Sequence, residues 1–184
     1  PMKDTGYFGL TGAAALEKRQ EVQDTLVKLA KEAKKGLISF EQQRDYDHFT
    51  NNYINSKNAQ IGTFARDQER GYAESVLIAT AKTQATLIAS DPHNEASFLQ
   101  AREGLRSAYV KRAHMKGGGP ELINQAMAEA DWEALKTRVD AISVTQPYEA
   151  MQILEANAKT AGVHLATYRA HLRPRAEAQE ADGI

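Results

Sequence analysis

Apolar residues near the start of the chain recur at steps of three and four, the spacing that places side chains on one face of an α-helix. This first stripe consists of Val22, Leu26, Leu29, Ala33 and Leu37. Thr11 precedes a run of alanines and is the predicted N-cap, and Gly36 supplies a stop signal. These signals predict a first helix over about 12–35.

A second, much longer helix is predicted over about 39–89, because no proline interrupts this part of the chain. Ser39 and Gln42 form an S-x-x-Q capping box at its start. Gly62 and Gly71 each cost about 1 kcal/mol relative to alanine inside a helix, so a break near either glycine is the alternative. The central part of its apolar stripe, predicted to be core or a partner contact, consists of Ile54, Ile61, Phe64, Tyr72 and Val76.

Shorter helices are predicted in the rest of the chain, between glycine and proline signals. They cover about 94–116, 120–143 and 147–158, followed by one from Leu165 that Pro174 kinks or ends. No segment alternates apolar and polar residues, so no sheet is expected. The predicted fold class is all-α, an elongated helical bundle with one very long helix and several shorter ones.

Three regions are predicted along the chain. Residues 1–92 would form an N-terminal helical hairpin that contains the long helix, and residues 93–176 a small helical bundle. Residues 177–184 are polar and would form a flexible tail. The opening Pro1-Met2-Lys3 indicates a piece of a longer protein.

Charge and composition exclude several classes of protein. The 23 basic and 24 acidic residues nearly cancel, which argues against a general nucleic-acid binder and leaves at most a weak contact. The chain has no cysteine, so disulfides and thiolate chemistry are excluded. No apolar run approaches the roughly 18 residues of a membrane span. Aromatic residues are only 7% of the chain, so helices with small side chains are expected to gain stability from neighbouring molecules.

Catalytic motifs are not evident. Glu74-Ser75 matches the catalytic dipeptide of many lytic transglycosylases, but the Gly-Leu-Met-Gln segment of that family does not follow it. An isolated carboxylate is not a mechanism, so Glu74 is predicted to be helix surface. We therefore predict no enzyme activity, no cofactor and no small-molecule substrate.

Metal and anion sites are also weakly supported. The run Gly117-Gly118-Gly119 lacks the strand and the Lys-Ser/Thr of a phosphate loop, and a helix connection is the better interpretation. The histidines are scattered and show no H-E-x-x-H spacing. They are His48, His93, His114, His164 and His171.

A lysine cluster at the end of the first helix has two interpretations. The lysines either complement the helix dipole or form a small contact for an anion. The cluster consists of Lys28, Lys31, Lys34 and Lys35. Tyr7 and Phe8, before the helix, either staple it or contact a neighbouring chain.

The order of these segments resembles the helical region of tailed-bacteriophage tail or internal (ejection) virion proteins. The resemblance begins at Gly6-Tyr7-Phe8-Gly9-Leu10-Thr11-Gly12-Ala13-Ala14-Ala15 and resumes at Leu37-Ile38-Ser39-Phe40-Glu41-Gln42. It ends on Pro147-Tyr148-Glu149-Ala150-Met151-Gln152-Ile153-Leu154 and covers about 6–175. Its motifs are loose and rich in alanine. The Gly117-Gly118-Gly119 run and the Asn51-Asn52 pair depart from it.

This resemblance implies a non-enzymatic assembly module, often adjoining a lytic transglycosylase or peptidase domain and itself carrying no catalytic residue. The expected partners are other virion proteins and copies of the chain. The expected location is the phage particle, with transfer to the host periplasm or envelope after ejection. The alternatives are a cellular helical adaptor and a fragment of a peptidoglycan-degrading lytic transglycosylase.

Overall fold

The computed structural model describes residues 6–182, and within that range it contains helices and turns but no strand. Seven α-helices follow one another within these described residues. They are α1 Ala13–Lys34, α2 Phe40–Ser90, α3 Glu95–Met115, α4 Pro120–Ser143, α5 Pro147–Ala156, α6 Ala158–Ala161 and α7 Leu165–Asp182. Short 3-10 helices lie at Tyr7–Gly9 and Gly162–His164. The predicted all-α class is confirmed, and none of the helices in 6–182 is apolar enough over sufficient length to cross a bilayer.

The long helix is confirmed as one uninterrupted element of 51 residues. Its start is capped as predicted, because the Gln42 N–H donates to Ser39 Oγ at 3.1 Å and the Ser39 N–H donates to Gln42 Oε1 at 3.3 Å. Neither Gly62 nor Gly71 breaks the helix. Gly62 is buried, and the nearest side-chain atom to where its Cβ would lie is Nη2 of Arg19 in α1, at the ordinary contact distance of 3.9 Å.

The prediction that Thr11 caps α1 is wrong. Gly12 occupies the N-cap position with φ of +55°, a left-handed backbone conformation that favours glycine. Its N–H donates to Gln68 Oε1 of α2 at 2.9 Å. A side chain 56 residues away therefore fixes the entrance to α1.

Of the two effects predicted for Pro174, a kink or an end of the last helix, the end is wrong, since α7 continues through the proline. Pro174 is exposed, so water can reach the carbonyl that loses its intrahelical partner. Leu172 and Ala176 are buried on either side of the proline and hold both turns against the bundle. The missing hydrogen bond is offset by packing on both sides of it.

The predicted flexible tail over 177–184 is helical as far as the structure describes it, and residues 183 and 184 lie outside the described part. Gln179 explains the extension. Its amide donates to the Thr145 carbonyl oxygen at 3.3 Å, and its Oε1 accepts from the Tyr148 N–H at 3.2 Å. The side chain thus bonds the backbone at the start of α5 and ties α7 to it.

The Gly117-Gly118-Gly119 run is a defined helix connection. Gly117 has φ of +75°, and its N–H donates to the His114 carbonyl at 2.9 Å. The Gly118 N–H donates to the Ala113 carbonyl at 3.0 Å, which completes a Schellman motif at the end of α3. Pro120 then occupies the first turn of α4, as predicted.

The chain divides into two compact units, the first ending at Ala73 and the second beginning at Glu74. The boundary predicted at 92/93 thus lies later in the chain than the one in the structure. The reason is Ile88 near the end of α2, which is buried in one cluster with Phe98 and Leu105 of α3. The last part of α2 therefore belongs to the second unit.

The second unit has two buried clusters, both of which include residues of α4. One joins the end of α2 to α3 and α4, and contains Ile88, Phe98, Ala101, Leu105, Ala130 and Ala134. The other joins α4 to α5, α6 and α7, and contains Leu135, Val139, Ile142, Ala150, Leu154, Ala161 and Leu172. The frequent alanines allow the helices to approach closely, and the leucines and isoleucines supply most of the buried area.

The first unit is a hairpin of α1 and the first part of α2. Ala15, Ile61 and Ala65 are its most buried side chains. Nearer the turn, the Tyr46 hydroxyl donates to the Ala30 carbonyl at 3.1 Å.

Candidate functional site

An apolar groove of the hairpin lies between α1 and α2 near the turn that joins them. We call it the hairpin groove; its volume is about 410 Å³. Leu26, Leu29, Ala30 and Ala33 line it on α1, and Tyr46, Phe49, Thr50, Tyr53 and Ile54 line it on α2. These residues share one side of the hairpin because their spacings of three and four return the chain to the same helix face.

Large apolar side chains on the groove remain open to solvent. Phe49 is 71% exposed, Leu29 57% and Tyr53 48%. Single exposed apolar residues are ordinary on protein surfaces, whereas a group of them along one groove is a candidate contact site. The Tyr46 hydroxyl at the groove is already engaged by the backbone of α1. The groove therefore offers apolar contact and shape to a partner.

The predicted partner stripe is distributed over different environments. Ile61 is buried in the hairpin core at 2% exposure, and Ile54 lines the groove. Phe64 is half-buried under the aromatic residues before α1. Tyr72 and Val76 are close to half exposed and belong to different units, so they are not core residues of the chain.

Tyr7 and Phe8 pack on Phe64 of α2. The three rings meet edge to face, with centroids 5.3 to 5.5 Å apart. Such pairs contribute about 0.5–1.5 kcal/mol beyond area burial. The residues before α1 are therefore anchored on the long helix, and Phe8 remains 41% exposed.

The lysine cluster does not act as one group. Lys34 donates to Asp47 of α2 at 2.6 Å, which closes the hairpin near its turn. Lys28, Lys31 and Lys35 are exposed. Because the side chain nearest α2 is neutralised by a carboxylate, three lysines remain on the outer surface of α1.

Glu74 is not the bare surface residue that we predicted. Its Oε1 accepts from Arg112 Nε of α3 at 2.8 Å, and its side chain is 37% exposed. The carboxylate is thus engaged in an ion pair between two helices, which is a structural use of this side chain. Glu74 thus joins α2 to α3 within the second unit.

Replacing Glu74 with glutamine tests both interpretations of this residue. We expect Glu74→Gln to lower the free energy of unfolding by no more than about 1 kcal/mol, because partly exposed ion pairs contribute little. We also expect no change in turbidity when the wild type or the variant is mixed with purified peptidoglycan. Clearing by the wild type that Glu74→Gln abolishes would show instead that Glu74 is catalytic.

A second ionic network, which the sequence patterns do not single out, joins α3 and α4. Asp131 accepts from Arg102 Nε at 2.8 Å and from Arg106 Nη2 at 2.6 Å. Burial raises the pKa of Asp131, but the two guanidinium groups outweigh it and hold the pKa at about 2. Because Asp131 on α4 is 29 and 25 positions from the two arginines of α3, no local spacing signals the network.

An aromatic cluster lies beside the second core of this unit. The Trp132 ring stacks on His164 with centroids 4.5 Å apart and meets Tyr168 edge to face at 5.0 Å. The Tyr168 hydroxyl donates to the Asp140 carboxylate and lies 3.1 Å from each of its oxygens. Burial and this carboxylate raise the pKa of Tyr168. These contacts fasten α7 to α4.

Ligand chemistry finds little support in the described range 6–182. No group of three or more histidine, aspartate or glutamate side chains there has the geometry to hold a metal ion. The partly buried carboxylates of Glu74 and Asp131 are each held by arginine. The hairpin groove is therefore the feature best suited to binding.

No protein-family model, curated protein or solved structure matches the chain significantly.

Proposed function

We propose that this chain is a non-enzymatic structural and assembly module of a tailed-phage virion, part of a tail or ejection protein. Its role would be to pack helices against copies of itself or other virion proteins during assembly and genome delivery. The proposed location is the phage particle, with transfer to the host envelope at infection.

The observation that carries this proposal is the exposed hairpin groove. A helical hairpin that leaves Phe49, Leu29 and Tyr53 open to water is less stable alone than with a partner over them, since covering apolar area is favourable. The motif resemblance described above supplies the virion context, and the groove supplies a means of assembly.

Glu74 weighs against the alternative of a lytic transglycosylase fragment. Such an enzyme needs a protonated acid beside the bond that it cleaves, whereas Glu74 is paired with Arg112. A cellular helical adaptor would use the same kind of groove, so the experiment must separate that alternative by location.

Particle composition makes this separation. Purified phage particles that carry the gene are digested and analysed by quantitative mass spectrometry. The proposal predicts peptides from this chain at a constant ratio to the other structural proteins of the particle. Their absence from intact particles, with the chain abundant in infected cells, would refute a virion role.

A further inference from the structure

We propose that α2 contains a hinge at residues 69–72, which we call the central turn. The helix opens there locally while its packed ends stay folded. The continuous helix seen in the structure is the main state, and the open turn is a minor state in equilibrium with it. The opening does not depend on the proposed function. Only its use in an assembly rests on that function, because a joint in a long helix lets its two ends follow different neighbours.

The buried positions of α2 fall into two groups with a long gap between them. Ile61, Gly62 and Ala65 are buried before the gap, and Ile88 is buried after it. Each of residues 66–87, about six turns of helix, is half-buried or exposed. Because tertiary packing supplies most of the stability of a helix in a protein, α2 is held most firmly on either side of this gap.

The central turn lies between two hydrogen bonds that hold α2 to other parts of the chain. Before the turn, Gln68 Oε1 accepts from the Gly12 N–H at 2.9 Å. After it, Glu74 Oε1 accepts from Arg112 Nε at 2.8 Å. The first three residues of the turn are exposed and the fourth is 47% exposed. Water therefore reaches the backbone of this turn more easily than that of the packed turns.

Gly71 is the weakest residue of the central turn. A Cβ added to it would meet no other part of the described chain within 4 Å, so no close contact requires glycine at this position. Relative to alanine, a glycine inside a helix favours the open state about fivefold, because it gains the most backbone freedom when the helix opens. The glycine thus lowers the cost of opening and serves no packing purpose.

Opening the central turn costs less than opening α2 within either packed part. It breaks a few backbone hydrogen bonds and uncovers no buried side chain of the turn. An opening at Ile61 or Ile88 would instead expose side chains that are only 2% and 1% exposed in the closed helix. Local unfolding is favoured where buried contacts are few and backbone hydrogen bonds face solvent. The two buried groups therefore remain folded when the turn opens.

Amide hydrogen exchange of the whole chain, followed residue by residue by NMR, tests the inference. Opening of the central turn frees the amides of about residues 71–76, whose hydrogen bonds cross it. After correction for intrinsic rates, these amides should exchange at least tenfold, roughly, faster than those of residues 61–65. Gly71→Ala should slow their exchange about fivefold, because alanine favours the closed helix by that factor.

Urea separates local opening from unfolding of a whole unit. A local opening exposes little surface, so the exchange rates at residues 71–76 should stay constant as urea is raised to about 1 M. The exchange rates at residues 61–65 should rise with urea, because these amides exchange through larger unfolding.

Gly62→Ala is the matched control. It makes the same change earlier in the same helix, and its Cβ would lie at the ordinary contact distance of 3.9 Å from Arg19 Nη2. Exchange at residues 71–76 should stay within about twofold of the wild type in this variant. Circular dichroism checks that both variants keep the helix content of the wild type.

Three results would each overturn the hinge. The first is exchange at residues 71–76 that is as slow as at 61–65, or that rises equally with urea. The second is a Gly71→Ala variant with unchanged exchange at these residues. The third is equal slowing by Gly62→Ala, which would show a general effect on α2 and no local opening.

The hinge and the virion role fail separately. A helix that does not open at the central turn, in a chain that is present in phage particles, would refute the hinge and leave the virion role intact. A hinge measured in a chain that is absent from particles would refute the virion role and leave the hinge intact.

Discussion

Leu154→Ala is expected to lower the free energy of unfolding of the second unit by about 2–5 kcal/mol. Leu154 is fully buried in the cluster that joins α4, α5, α6 and α7, and its truncation leaves a cavity that close-packed helices fill only in part. Trp132 is the only tryptophan of the chain and packs against this cluster. Its fluorescence during urea denaturation therefore reports the unfolding of the second unit.

Val163→Ala is the control for this experiment. Val163 lies in the same unit and is 89% exposed. We therefore expect Val163→Ala to change the free energy of unfolding of this unit by less than about 0.5 kcal/mol. Equal effects of Leu154→Ala and Val163→Ala would mean that the described core does not stabilise the unit.

Acid should weaken the second unit through Asp131. The pKa of this carboxyl is about 2 in the folded chain, against an ordinary value of 3.8. The folded state holds the proton of Asp131 less tightly than the unfolded state does, so ionised Asp131 stabilises the second unit. This stabilisation is complete above about pH 3.8 and is lost as the pH falls through about 2. The difference between the two pKa values corresponds to about 2 kcal/mol.

Asp131→Asn measures this contribution. At neutral pH the variant should be less stable than the wild type by about 1–3 kcal/mol, because two guanidinium groups lose their common anion. Urea titrations followed by Trp132 fluorescence give the free energy of unfolding of each protein. The difference between these two free energies should decrease as the pH is lowered below about 4.

Glu103→Gln is the matched control for the acid experiment. Glu103 also approaches Arg106, at 3.7 Å, but its side chain is 74% exposed, so the substitution should have no measurable effect on stability. If the free energies of unfolding of the wild type and Asp131→Asn differ by the same amount at every pH, the low pKa given for Asp131 is contradicted.

Local signals predict the helices of this chain well because capping and chain-breaking depend on neighbouring residues. Ser39 and Gln42 form the expected capping box. Gly119 and Pro120 start α4, which the spacing places at 120–143, as observed. The length of α2 follows from an apolar stripe without proline, and packing on both units overcomes the cost of its two glycines.

The errors arise where distant residues decide the local structure. Gln68 fixes the start of α1, and Gln179 holds the last turns of α7 against the start of α5. The Arg112 partner of Glu74 is 38 residues away. Only part of the hairpin groove could be predicted from the sequence, because the groove forms where two helices pack together. The apolar stripe of α2 indicates Ile54, whereas Leu29 becomes a groove residue only once α1 lies beside α2.

Cross-linking within intact phage particles is the most direct test of the assembly role. Lys28, Lys31 and Lys35 are exposed beside the hairpin groove and react with amine-specific cross-linkers. The account predicts cross-links from these lysines to a second copy of the chain or to another virion protein, and their loss when Phe49→Asp particles are treated in the same way. Lysines of the hairpin that give only intramolecular cross-links in wild-type particles would contradict it.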